Sequence, residues 1–298
     1  MNKTYLSLAI FPAIIATACG GAQDNPTPST SSEEKMEIRI SPKLSDTRAT
    51  DYGFETGDAI GLYVVNYNGS NPGTLAATGN HVDNMRFRYN STWTPDTPVT
   101  WSDKETHADF YVYYPYSEVT DVTAHSFSVQ PDQSMSSRYK ASDFMLGKAS
   151  DVAPTASAVE IPVSHAFSRA VVTLEAGNGF TAASLAAANV SVKLNGLKCG
   201  ASVNLASGAV TATGNPMDIT PLHDNEGYRA LVVPQTVDEG NLITVNVDGR
   251  DFNLRKGFTF EAGKSHRFTV TLSKTSTGVN VNINPWNEDD TDNGGTAE

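Results

Sequence analysis

Along most of the chain, apolar and polar residues alternate in short runs bounded by Gly, Pro, Asn and Asp. This two-residue period belongs to β-strands with one buried and one wet face. Met36, Ile38 and Ile40 alternate with Glu37, Arg39 and Ser41; Ile60, Leu62 and Val64 follow the turn signal Gly57-Asp58; Phe110, Val112 and Tyr114 follow Asp109. The same period predicts strands over 170–174, 190–194, 231–233, 242–247, 268–272 and 279–283. Only 181–189 departs from it, where a run of Ala behind Thr181 predicts one short, capped helix. The fold class is therefore all-β, and the strands are too many for one sandwich of about 100 residues. Two tandem β-sandwich domains are expected, 34–165 and 166–286, divided near Pro162-Val163-Ser164-His165. Residues 287–298 hold five acidic groups and no large apolar residue, which predicts a disordered acidic tail.

The first eighteen residues break this pattern. Lys3 precedes an apolar run over 6–15 that is too short to span a bilayer, the form of a secretory signal peptide. Ala16-Thr17-Ala18 stand directly before Cys19-Gly20, the arrangement after which a lipoprotein signal peptidase cuts and the cysteine thiol is acylated. Cys19 would then be the lipidated first residue of the mature chain, carrying fatty acyl groups such as palmitate. Ala16 stands where such boxes usually carry Leu, so an ordinary cleaved signal is the alternative reading. Residues 19–33 are polar and rich in Pro, Ser and Thr, a flexible tether that cannot pack a core. Anchored by acyl chains, each worth about 0.8 kcal/mol per buried CH₂, it would hold the folded body at the outer membrane surface.

Charge and composition narrow the partners. With 33 acidic against 21 basic residues and a net charge of −12, binding to nucleic acid or an anionic membrane surface is disfavoured. Protein, carbohydrate or a small ligand remain. Cys19 and Cys199 are the only cysteines, so no disulfide framework exists, and with Cys19 lipidated Cys199 is expected as a buried small hydrophobe.

Catalytic chemistry is not visible. The chain has no H-E-x-x-H, G-x-S-x-G, Gly-rich phosphate loop or Cys-x-x-Cys, so no catalytic residue, metal ligand or cofactor site is assigned and an enzyme is not expected. The six histidines have no pair at ligand spacing, and 289–294 starts a calcium-loop pattern that the chain ends too soon to complete. Tyr111, Tyr113, Tyr114 and Tyr116 could stack a sugar, but alternation places the first two on one strand face and the last two on the other, which suits packing better than a platform.

Two segments point to assembly instead. Met36, Ile38 and Ile40 form a first strand followed by polar residues 41–53 that include the trypsin-like target Arg48-Ala49. A cut there would separate this strand from the sheet, uncovering unpaired backbone groups and an apolar groove that invites a replacement strand. At the other end, Val279, Val281 and Ile283 lie on one face of the cleanest period-2 run in the chain, which closes on Trp286. That run suits a donated strand, with main-chain hydrogen bonds and alternate side chains in pockets; an uncut loop and a last strand kept in its own domain are the plain alternatives.

The chain resembles the fimbrillin family of Bacteroidales, lipoprotein-derived subunits of type V pili and related fimbriae. The resemblance rests on Thr47-Arg48-Ala49 ahead of the 54–63 run FETGDAIGLY, on DFYVYYPY at 109–116, DFMLG at 143–147 and VSHAFSRA at 163–170, and on VPQ at 233–235, FEAGK at 260–264 and INPW at 283–286. It implies two transthyretin-like sandwich domains, export as a lipoprotein to the outer membrane, and cleavage after Arg48 by an arginine-specific protease. Polymerisation with other pilus subunits by strand exchange is implied in turn, as stalk, tip or anchor. A tip subunit need not donate its C-terminal strand, so a surface adhesin for host protein or glycan is the second reading.

Overall fold

The computed structural model describes residues 35–45 and 53–274, together with the backbone of 295–297, all within one unit, Lys35–Glu298. The first half of the body supplies β1 (Ile40–Leu44), β2 (Ala59–Asn66), β3 (Val82–Asn90), β4 (Thr92–Pro95), β5 (Ala108–Tyr114), β6 (His125–Ser128), a short helix α1 (Ser136–Lys140), β7 (Met145–Val152) and β8 (Val159–His165). Seven of these strands form one sheet in the order β1-β8-β7-β5-β2-β3-β4. The second half supplies β9 (Ser168–Ala176), α2 (Ala182–Ala187), β10 (Val190–Val203), β11 (Val210–Ile219), β12 (Leu222–Asp224), β13 (Gly227–Val232), β14 (Gln235–Val237), β15 (Asn241–Val247), β16 (Arg250–Arg255), β17 (Phe258–Phe260), β18 (Ser265–Leu272) and β19 (Gly295–Ala297). Its sheets run β11-β10-β15-β16 and β12-β13-β9-β18-β19, beside a β14-β17 pair.

The central strands of the first sheet are covered on both faces, which is why they are nearly continuous in apolar residues. Ile60, Leu62 and Val64 of β2 and Phe110, Val112 and Tyr114 of β5 enter one core with Ile38, Ile40, Trp101, Ile161 and Val163. Tyr63, Val65, Tyr111 and Tyr113 on the opposite face enter a larger core shared with the second half. Gly61 belongs to this arrangement: a Cβ there would lie 2.1 Å from the Tyr113 ring, whose hydroxyl donates to Ser117 O at 2.6 Å. Around His165 and Ala166 the chain passes from the first sheet to the next, and the apolar packing is continuous across this point. Phe144 stacks on Phe167 at 5.7 Å and contacts Phe127 at 4.9 Å, while β6 crosses to pair with β10.

Several expectations change. The first strand, expected over Met36–Ile40, is β1 at Ile40–Leu44, because Pro42 and Leu44 continue the even-numbered apolar face through what looked like loop. Gly295–Ala297, expected in a disordered tail, lie parallel to β18 in the register Val270↔Gly295. Tyr111, Tyr113 and Tyr114 are buried on the two faces that alternation assigned them, so they form no exposed stacking platform. The helix behind Thr181 is present as α2, with a capping box between Thr181 and Ser184. Cys199 is buried and free, and burial pushes its thiol pKa up.

Candidate strand-exchange site

Of the residues singled out for assembly, Met36, Ile38 and Ile40 are placed by the structure. Cys19, Arg48, Ala49, Val279, Val281, Ile283 and Trp286 lie outside the described residues.

The segment from Met36 to Ser45 runs along the rim of the first core and changes partner midway. Its first part pairs with the stretch before β5, through Ile38 N to Val99 O and Trp101 N to Met36 O, both 2.9 Å. Its second part, β1, pairs parallel with β8 from Ile40↔Val159 to Leu44↔Val163. Val159 N donates to Arg39 O at 2.8 Å and Ser45 N to Val163 O at 2.9 Å. Odd-numbered residues therefore point their backbone groups at β8, and even-numbered residues point theirs away. Ile38 and Ile40 are 3% and 5% exposed, and Met36 and Leu44 pack on the same core half-buried. Each fully buried isoleucine stabilises by about 1.5 to 3 kcal/mol, so this one segment carries a measurable share of the first core. The one ion pair seen between β1 and β8, Lys43 with Glu160, is solvent-exposed and adds little.

On the side facing β1, β8 presents main-chain donors without a gap. Its alternation is complete, with Val159, Ile161, Val163 and His165 inward and Glu160, Pro162 and Ser164 outward. The backbone groups of Val159, Ile161 and Val163 face β1, while Pro162 faces β7, whose pairing with β8 stops at Gly147↔Val163. Pro162 thus removes a donor from the side that needs none. The period-2 alternation of 159–165 is the signal in the sequence that marks this strand, which the division near Pro162–His165 passes over.

On the C-terminal side of 46–52 the chain is held firmly. Phe54 packs edge-on against Trp93 at 4.9 Å and Tyr114 at 5.9 Å. Lys140 of α1 pairs with Glu55 at 2.7 Å and Asp58 at 3.0 Å. Burial alone would lower the Lys140 pKa, and the two carboxylates raise it on balance, so it stays charged. Tyr114, whose hydroxyl donates to Asp58 at 3.3 Å, is pushed well above the usual phenol range by burial first and by Asp58 second. The sequence therefore places Arg48 between a strand held on one flank of its pairing and an anchored aromatic turn. Among the described residues, no group of His, Cys, Asp and Glu is placed to hold a metal ion.

An all-β body in which an N-terminal edge strand, β1, lies on an apolar core and pairs in parallel with its neighbour β8 defines the class, a protein built of packed β-sheets. The fimbrillin-like family profile matches residues 47–286, and the chain belongs to that family. A curated relative, the "Putative fimbrium subunit Fim1C" of Bacteroides uniformis, is 28% identical over 96% of both chains. Two crystal structures described as a "putative cell adhesion protein" share the fold. One, from Bacteroides uniformis, has a TM-score of 0.61 and 23% identity, covering 80% of this chain and 94% of that one. The other, from Bacteroides ovatus, has a TM-score of 0.65 and 17% identity, covering 87% and 97%. The family is one of structural fimbrial subunits.

Proposed function

We propose that this chain is a structural subunit of a cell-surface fimbria, exported as a lipoprotein through Cys19, cleaved after Arg48 and joined to other subunits by donor-strand exchange. The observation that carries this reading is the position of the buried strand. Everything that Ile38, Ile40 and Pro42 contribute to the first core lies N-terminal to Arg48, so a single cut releases it and leaves the inward donors of Val159, Ile161 and Val163 bare. A strand carrying Val279, Val281 and Ile283 has the same alternation as the strand it would replace. Family membership supports the assembly partners, which are other fimbrial subunits, and a surface location.

The test is to treat soluble protein beginning at Gly20 with an arginine-specific protease and to follow mass and oligomeric state together. One cut after Arg48 followed by SDS-resistant ladders is the expected result. Protein that remains intact and monomeric would remove the reading.

A second reading is supported by β19. Because Gly295–Ala297 pair with β18 of the same chain, the C-terminus is engaged in its own sheet. That suits a tip subunit, which accepts a strand without donating one and binds host protein or glycan. A clean cut without ladders, together with binding of a separate donor peptide, is its signature.

A further inference from the structure

The two edges of the seven-stranded sheet, β1 and β4, face one another across a groove of about 660 Å³ lined by Ile38, Ile40, Pro42, Trp93, Pro95 and Val99. Such facing edges invite a strand to enter between them. Backbone direction shows what an entering strand would meet. Odd residues of β1 point at β8, so Ile40, Pro42 and Leu44 point at the groove. On the far side, Asp96 N donates to Arg86 O at 3.0 Å and Thr94 pairs with Arg88, whereas Tyr89 exchanges bonds with Gly57 and Asp58. The even residues of β4 are therefore spent on β3, and Trp93 and Pro95 point at the groove. Each open edge thus has a proline among its few groove-facing positions, and a proline offers no N–H to an incoming carbonyl. On β8 the order is reversed, with Pro162 turned toward β7 and three residues with intact N–H groups turned toward β1.

We propose that Pro42 and Pro95 guard the open edges of the uncleaved chain against strand addition by the 279–283 segment of a second copy. The productive acceptor, β8, becomes available only when β1 leaves. This rests on the strand-exchange reading above and adds to it a barrier to polymerisation of the intact protein through its own groove. The occupant is argued from its pattern: Val279, Val281 and Ile283 repeat the alternation of Ile38, Ile40 and Pro42 along the groove, and the carbonyls of this proline-free segment are what the two prolines refuse.

The experiment uses uncleaved protein beginning at Gly20, a labelled peptide of residues 277–286, and the variants Pro95→Thr, Pro42→Thr and both together, each first matched to the parent in circular dichroism and thermal midpoint. Peptide anisotropy and light-scattering mass are read before and after arginine-specific cleavage. Uncleaved parent protein is expected to stay monomeric and ignore the peptide. Each substitution is expected to strengthen peptide binding about fivefold to tenfold, the worth of one recovered main-chain hydrogen bond, and the double variant to self-associate without cleavage. Pro95→Thr leaves β1 untouched and keeps the test valid if Pro42→Thr misfolds. The proposal is overturned if folded Pro95→Thr protein binds no better than the parent, or if the uncleaved parent already binds. Cleaved parent protein is the control: if it also ignores the peptide, strand exchange itself has failed, whereas binding there with silent variants removes only the guard.

Discussion

Both halves of the molecule contain a parallel strand pair, and the two are held very differently. β18 pairs with β9 over eight positions, Ser265↔Arg169 to Leu272↔Ala176, and has β19 on its other side. Phe268 and Val270 are fully buried, with Phe258 and Phe260 at 5.0 and 6.2 Å from the Phe268 ring. β1 pairs over five positions and opens onto a groove on its other side. The same ladder geometry thus serves an interior strand in one place and an edge strand in the other. The two differ in the length of the pairing and in what flanks the strand.

The largest expected effect that tests this contrast is on the interior strand. Phe268→Ala should destabilise by about 3 to 5 kcal/mol, with the same loss in urea denaturation before and after arginine-specific cleavage. Ile40→Ala should cost about 2 to 4 kcal/mol in the intact chain and nothing once the chain is cut and β1 has left. An equal cost in both forms would mean that β1 stays in place after cleavage.

Acid should act on the second half. His266 on β18 is 1% exposed, lies edge-on between Phe258 and Phe260, and accepts a hydrogen bond from Glu261 N at 3.1 Å through Nε2. Burial pushes its pKa down to about 4. The folded state therefore favours the neutral ring. That contribution is whole above the unfolded value near 6.5, declines as pH falls from there, and is exhausted once pH passes about 4. His266→Phe should flatten the fall in thermal midpoint across this window, whereas a variant with the slope of the parent would place the acid lability elsewhere. The smallest effect is expected at Thr181→Ala, which removes the cap of α2 at a cost of about 1 kcal/mol. No residue of this helix is buried, so its loss should be visible in circular dichroism near the lower limit of detection.

How legible each part was follows from how much apolar surface it carries. β2, β5, β9, β15 and β18 were readable because they bury one face or both, and burial selects the residues that make the period visible. β11 was not, since nine of its ten residues are at least partly exposed and only Val210, Ala212 and Ile219, at its two ends, reach the core. α1 has one buried residue, Tyr139, too few for a helical period. At the candidate site, Ile38 and Ile40 were evident from alternation, whereas Pro42 concealed the remainder of β1 by its ordinary meaning as a loop residue. The alternation of β8 was there to read, but its pairing with β1 and the parallel sense of the pair were beyond reach, because nothing local to either segment encodes a contact between strands so distant in sequence.

Cys199 gives the molecule a built-in clock. In protein beginning at Gly20 it is the sole thiol, it lies on β10 with 6% of its surface exposed, and burial keeps it in the unreactive protonated form. A thiol reagent can therefore modify the chain only as fast as the larger core opens, and the labelling rate reports how often that happens. Comparing that rate in free and fibre-bound subunits would measure how far assembly at one end of the body stiffens the other, with no label added to the chain.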